Sequence, residues 1–138
     1  MNTRATLLLA QAAYPALKES KGALVAVASM SGMGAHPGMG AYSPSKAALI
    51  SLCQVLAQEW ACDGINVNTV SPGMIRTPLT QKVYENNQIA KERAALVPWG
   101  RVGNPEDISN VISFLLSPEA NYITGQNILV DGGFVDSL

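Results

Sequence analysis

The chain has 138 residues, enough for one domain with a buried core, and 48% of them are apolar against 14% charged, which excludes general disorder. A formal net charge of -1 leaves no electrostatic footprint for nucleic acid or an anionic membrane surface, and no apolar run is long enough to span a bilayer. Cys53 and Cys62 make neither a disulfide framework nor a metal clip; with no secretory signal pattern, they point to a reducing cytoplasm and to no metal site.

From Asn2 to about Ser20, Leu8, Ala12 and Leu17 recur at helical spacing, and Lys18, Lys21 and Gly22 stand where a helix stops. "ALVAVA" (23–28) is a short continuous apolar run, the pattern of a strand buried on both faces. A glycine-rich stretch follows. A long helix is then predicted from about Ala41 to Cys62, with both cysteines as packing residues on it, until "DG" at 63–64 breaks it. "INVNTV" (65–70) reads as a strand, with Ile65 and Val67 alternating against Asn66 and Asn68.

Beyond "SPG" (71–73) the chain turns polar and irregular, with one weaker helix between Pro78 and Leu96. "GNPEDI" (103–108) starts another helix: Asn104 can cap it, Pro105 suits its first position, and Glu106 and Asp107 favour its positive end. That helix runs to Pro118, a turn follows at Thr124–Gly125, and "NILV" (127–130) is a last strand. Strands alternating with helices argue for an α/β fold with a parallel sheet, here a narrow one of about three strands.

The stretch "SMSGMGAHPGMGAYSPSK" (29–46) admits two readings. Gly32, Gly34 and Gly38 lie between a strand and a helix, close to a dinucleotide fingerprint. Yet the next strand ends in Ser71 rather than an acidic residue, and Pro37 offers no amide to a phosphate. Tyr42 and Lys46, four apart, share one helix face. An ammonium beside a phenol favours the phenolate, and a proton donor tuned toward neutral pH is what carbonyl reduction needs. Ser29 closes the facing strand, where its hydroxyl could orient a carbonyl. Taken alone, Y-x-x-x-K fits a solvated helix face as well. The whole set of spacings adds weight, with Ser29 thirteen residues before Tyr42 and Pro72–Gly73 after the next strand.

At this point the chain resembles the short-chain dehydrogenase/reductase family. "SMSG", "YSPSK", "INVNTVSPGMIRTP", "GRVGNPEDI" and "YITGQNILVDGG" match its pattern in order. The resemblance implies that residues 1–138 are a single partial domain, the second half of a doubly wound Rossmann-type sheet. It implies Tyr42 as catalytic acid/base, Lys46 as its charge partner and a ligand of the nicotinamide ribose, and Ser29 as holder of the substrate oxygen. Asn2 matches an asparagine whose backbone helps hold a water linking the lysine to solvent. Pro72, Gly73, Ile75 and Thr77 match the segment along the nicotinamide and its phosphate.

Further implications are NAD or NADP as cofactor, a small carbonyl or secondary alcohol as substrate, and a homo-oligomer, dimer or tetramer. Met74, Val83, Tyr84, Leu96 and Trp99 fall in the stretch that closes over substrate, and His36 reads as a solvent-facing loop residue. The family's opening strand, its T-G-x-x-x-G-x-G loop and its N-N-A-G segment have no match here. The chain by itself is therefore expected to be inactive. The alternative is a non-catalytic module that pairs with full-length subunits.

Overall fold

The computed structural model describes residues 2–135. Helix α1 (Asn2–Ser20) leads into strand β1 (Ala23–Val27), and a 3₁₀ turn (Met30–Gly32) and an irregular loop lead to α2 (Tyr42–Trp60). Strand β2 (Asn66–Pro72) follows, then two short helices, α3 (Gln81–Tyr84) and α4 (Asn87–Ala95), then α5 (Pro105–Leu115) and β3 (Asn127–Val130). The three strands form one parallel sheet in the order β1-β2-β3. Ala23 pairs with Asn66 through to Val27 with Val70, and Thr69 with Asn127 through to Pro72 with Val130. This is the α/β architecture expected, with helices on both faces of the sheet.

One face is closed by α1 and α2: Ala10, Leu49, Cys53, Leu56, Ala57 and Trp60 pack with Ala26, Ala28 and Val67. The other is closed by α5, whose Ile108 and Leu115 meet Val70 and Ala120. The ring of Tyr14 lies 5.0 Å from that of Trp60, and Asp63 ties the two helices by accepting the Tyr14 hydroxyl and pairing with Lys18 at 2.7 Å. Among the described residues no helix is long and apolar enough to cross a membrane.

Three local expectations change. The long helix ends at Trp60, where a 3₁₀ turn over Ala61–Asp63 and left-handed Gly64 (φ 76°) stop it. Cys62 is therefore exposed in that turn, while Cys53 is buried and its thiol is pushed up to about 11 by burial. The single weak helix over 78–96 is two, because Asn86 caps a new start by accepting the amides of Gln88 and Ile89 at 3.0 and 3.2 Å. Asn68 does not mark a wet face of β2: it is fully buried, donating to Ile123 O at 2.7 Å and accepting from Gln126 N at 3.0 Å. Buried polar groups with both ends satisfied suit a strand enclosed on two sides.

Helix α5 starts as its sequence suggests, with Asn104 at the N-cap and Pro105 in the first turn. Asp107 reaches back to accept the Asn104 amide at 2.7 Å, while the Arg101 guanidinium forks onto both its oxygens at 2.7 and 2.9 Å. The Arg101 bonds first, and the amide second, hold the Asp107 carboxyl well below the usual carboxylate range. A carboxyl depressed in the folded state stabilises above its unfolded value of 3.8 and loses that contribution as pH falls through the folded one. Asp107→Asn is thus expected to melt below wild type at pH 7, with the gap closing as pH drops from about 5 toward 2. Thermal melts across that range check it; a gap that stays constant would remove Asp107 ionisation as the cause.

Candidate active site

The carboxyl ends of β1 and β2 open onto a cleft of about 750 Å³, the position where parallel sheets ordinarily hold ligands. Ser29, Tyr42, Lys46, Pro72, Gly73, Ile75 and Thr77 all line it. Residues read from three separate segments of sequence are therefore gathered at one place.

The geometry begins with β1. Its last carbonyl, Val27 O, accepts the Lys46 ammonium at 2.9 Å. This bond brings Lys46 across from the first turns of α2 to the strand end. The same ammonium lies 5.8 Å from the centroid of the Tyr42 ring, so the i,i+4 pair is formed as a spatial pair. Tyr42 is 38% exposed, open to the cleft rather than sealed in the core. Ser29 is buried at the cap of the 3₁₀ turn, and its Oγ accepts the Ser31 amide at 3.2 Å. That contact leaves the Ser29 hydroxyl proton for a ligand oxygen.

The glycine stretch is no phosphate cradle in this arrangement. A Cβ on Gly32 would stand 2.9 Å from the Lys46 carbonyl carbon and 3.0 Å from Ala47 N, so Gly32 is where the loop presses against the backbone of α2. Gly34, Gly38 and Gly40 have open space around their Cα atoms, and the last two take positive φ as turn residues do. The near-fingerprint thus breaks into one packing glycine and several loop glycines.

On the β2 side, Gly73 N donates to Val130 O at 3.0 Å, and a Cβ there would fall 2.5 Å from Asp131 Cβ. Only glycine lets the chain leave β2 so close to the end of β3. Thr80 is the organiser, its Oγ1 accepting Thr77 N at 2.9 Å and donating to Ile75 O at 2.9 Å. The main chain of Ile75 also forms a parallel bridge to Gly103. Thr80 escaped the sequence reading because nothing in a lone threonine five residues past Ile75 announces a backbone clasp.

Asn2 lies apart from the main cleft. It lines a smaller groove of about 380 Å³ that shares Val27 and Lys46 with it. Its Nδ2 donates to Ser45 Oγ at 3.3 Å, and Thr3 Oγ1 to Ser45 O at 3.0 Å, joining the start of α1 to the first turn of α2. Met74 and Tyr84 line the cleft as expected; Leu96 and Trp99 are instead 56% and 74% exposed, and Val83 is not in the lining. His36 is half-buried with Nδ1 3.3 Å from Gly34 O, outside the cleft. Among the described residues no group of three metal-ligating side chains gathers.

A family model described as enoyl-(acyl carrier protein) reductase matches residues 1–135. A tropinone reductase homologue of Arabidopsis thaliana is 42% identical over 133 residues, covering 96% of this chain and 49% of the relative. A (3R)-3-hydroxyacyl-CoA dehydrogenase of Mus musculus is 39% identical over 135 residues, covering 96% and 51%. The chain spans about half the length of the curated relatives it matches.

Among solved structures, a 4-hydroxyisoleucine dehydrogenase complexed with NADH superposes with a TM-score of 0.91 at 37% identity, over 98% of this chain and 56% of that one. An oxidoreductase of the short chain dehydrogenase/reductase family from Burkholderia thailandensis gives 0.90 at 35%, over 98% and 54%. A 2-deoxy-D-gluconate 3-dehydrogenase candidate from Agrobacterium tumefaciens with bound NADP gives 0.90 at 33%, over 98% and 56%.

The contact at Gly32 generates a prediction. Gly32→Ala forces the turn away from the Lys46 backbone and is expected to cost about 1–3 kcal/mol, the range for overpacking. Urea denaturation of the variant beside wild type measures it, and an unchanged midpoint would show that the turn yields freely.

Proposed function

The chain belongs to the short-chain dehydrogenase/reductase family, and from that premise we propose that it carries the catalytic half of an NAD(P)-dependent oxidoreductase acting between a carbonyl and a secondary alcohol. The observation that carries this reading is the single cleft into which Ser29, Tyr42, Lys46 and the 72–77 segment all open. The fit to a nicotinamide ribose rests on the lining itself: apolar walls from Pro72, Met74 and Ile75 suit a flat ring, and Lys46 keeps two N–H groups beyond its bond to Val27 O for ribose hydroxyls. The cofactor is NAD or NADP; of the similar structures one holds NADH and another NADP.

A nicotinamide bound there supplies the hydride for reduction, or accepts it in the reverse direction. The protein's own residues handle the oxygen and the proton. Ser29 donates its hydroxyl to the substrate oxygen and fixes it beside Tyr42. As hydride reaches the carbonyl carbon, the oxygen takes the Tyr42 phenolic proton and the alcohol is complete. Lys46, 5.8 Å from the ring centroid, counters the negative charge left on Tyr42 until solvent restores the proton. In oxidation the proton runs the other way. Asn2, through Ser45, holds α1 against the turn of α2 that carries Tyr42 and Lys46, next to the groove from which water reaches the lysine.

The wider reading is a small-molecule enzyme of the cytoplasm, assembled as a dimer or tetramer. Residues that would grip the adenine and pyrophosphate are not among these 138, and binding energy spent there ordinarily positions the hydride. We therefore propose that these residues by themselves turn over little or not at all. One observation favours a second role, pairing with a longer subunit: among the described residues β1 has β2 on one side only, and beside its open edge lies a groove with Leu9, Leu24 and Val27 in its lining.

Two measurements test the reading. Saturation-transfer NMR with reduced nicotinamide mononucleotide should show binding to the chain that Lys46→Met weakens; absence of transfer in wild type would sink the cofactor assignment. Wherever ketone-dependent oxidation of NADH or NADPH is observed, Tyr42→Phe should lower kcat by roughly 10²–10⁴-fold. Retention of activity by that variant would put the proton donor elsewhere.

A further inference from the structure

The cleft holds one more cation that the scheme above leaves unused. Arg93, on α4, lines it together with Thr80 and Tyr84 of the covering segment. Its guanidinium carbon lies 5.6 Å from the centroid of the Tyr84 ring, and Tyr84 is only 5% exposed, so a fixed aromatic face supports the planar group. Among the described residues the ion pairs are Lys18–Asp63 and Arg101–Asp107, and Arg93 has no carboxylate partner. Its acidic neighbour in sequence, Glu92, accepts Gln88 Nε2 at 2.8 Å instead. The lining as a whole contains two cations, Lys46 and Arg93, and no carboxylate.

Two bland roles compete. A cation in the last turn of α4 complements the helix dipole, but that interaction works equally well from solvent. Packing on Tyr84 is the other. Arg76 does the same from the exposed side, 5.5 Å from the same centroid and outside the cleft lining, so stacking alone does not require an arginine inside. An unpaired guanidinium in a half-enclosed, carboxylate-free cleft attracts an anion, and its fork matches a carboxylate.

We infer that Arg93 is a substrate-binding residue that selects carbonyl compounds carrying a carboxylate, which its fork receives while Ser29 and Tyr42 take the carbonyl oxygen. The inference rests on the oxidoreductase reading and narrows its substrate class. Phosphates of the nucleotide are the other source of negative charge. The substrate is favoured because Arg93 comes from the segment between β2 and α5, whereas Lys46 and the 72–77 strand end are the groups suited to the nicotinamide ribose.

The test pairs pyruvate, acetoacetate and levulinate with their methyl esters, measuring affinity for the protein by ligand-observed NMR and turnover with NADH or NADPH. At least one acid is expected to bind about tenfold or more tightly than its ester. Arg93→Gln should abolish that preference and leave the ester unchanged, while Arg76→Gln leaves both unchanged, separating charge from packing on Tyr84. Equal affinity of acid and ester in wild type, equal weakening of both by Arg93→Gln, or a loss confined to NADH and NADPH binding overturns the inference. An enzyme that reduces esters as readily as acids also overturns it and leaves the oxidoreductase reading standing. Absence of reduced nicotinamide mononucleotide binding, with Arg93-dependent binding of an acid retained, sinks the oxidoreductase reading alone.

Discussion

The bond from Lys46 Nζ to Val27 O is the constraint around which the candidate site is arranged. In β1 the Ala28 amide donates to Val70 O, so the neighbouring Val27 carbonyl belongs to the row that faces away from β2. A carbonyl at an open sheet edge needs a donor, and the ammonium on α2 provides one. Satisfying that backbone atom also fixes where the lysine stands. The lysine in turn fixes the charge beside Tyr42, since both project from the first turns of the same helix. Gly32 completes the arrangement by letting the turn that carries Ser29 lie directly on the backbone of that helix.

From this frame it is clear what the sequence made legible and what it hid. Tyr42 and Lys46 could be paired from their spacing because an i,i+4 relation is local and independent of the rest of the fold. Ser29 and the 72–77 segment could be joined to them only through the family pattern, since periodicity says nothing about which strand ends adjoin. Val27 was invisible because its contribution is a main-chain oxygen that any residue would supply. Asn68 misled for a related reason: alternation suggested a solvated face, but its partners, Ile123 O and Gln126 N, come from a turn more than fifty residues away. Thr80 and Arg93 act through contacts that exist only once the covering segment is folded.

The covering segment differs from the frame in how it is held. Helix α4 buries no residue, and α3 buries only Tyr84, whereas β2 is buried along nearly its whole length. Two clasps attach the cover: Thr80 folds the 75–80 strand end on itself, and the Arg101–Asp107 fork fixes the start of α5. Between them the cover is held by the Tyr84 ring, with Arg76 and Arg93 each within 6 Å of its centroid, and by buried Val97 and the Trp99 amide, which donates to Gly132 O at 3.2 Å. Few buried apolar contacts mean low local stability, so opening of this region costs far less than opening of the sheet.

Under the proposed oxidoreductase reading, that division separates two demands that a carbonyl-handling site must meet. Proton transfer requires the phenol, the ammonium and the serine hydroxyl at fixed separations, and all three sit on the well-packed β1–turn–α2 unit. Recognition of the remainder of a substrate requires a surface that adjusts, and the groups suited to it lie on the loosely buried α3–α4 segment. Because Ser29 bonds to Ser31 N and Lys46 to Val27 O, both away from that segment, substitutions at Tyr84, Leu79 or Arg93 are expected to alter what the cleft admits without displacing Lys46 from Val27 O. The same frame is thereby compatible with many substrates. On the proposed reading, the arginine on the cover, rather than the tyrosine on the frame, selects among them.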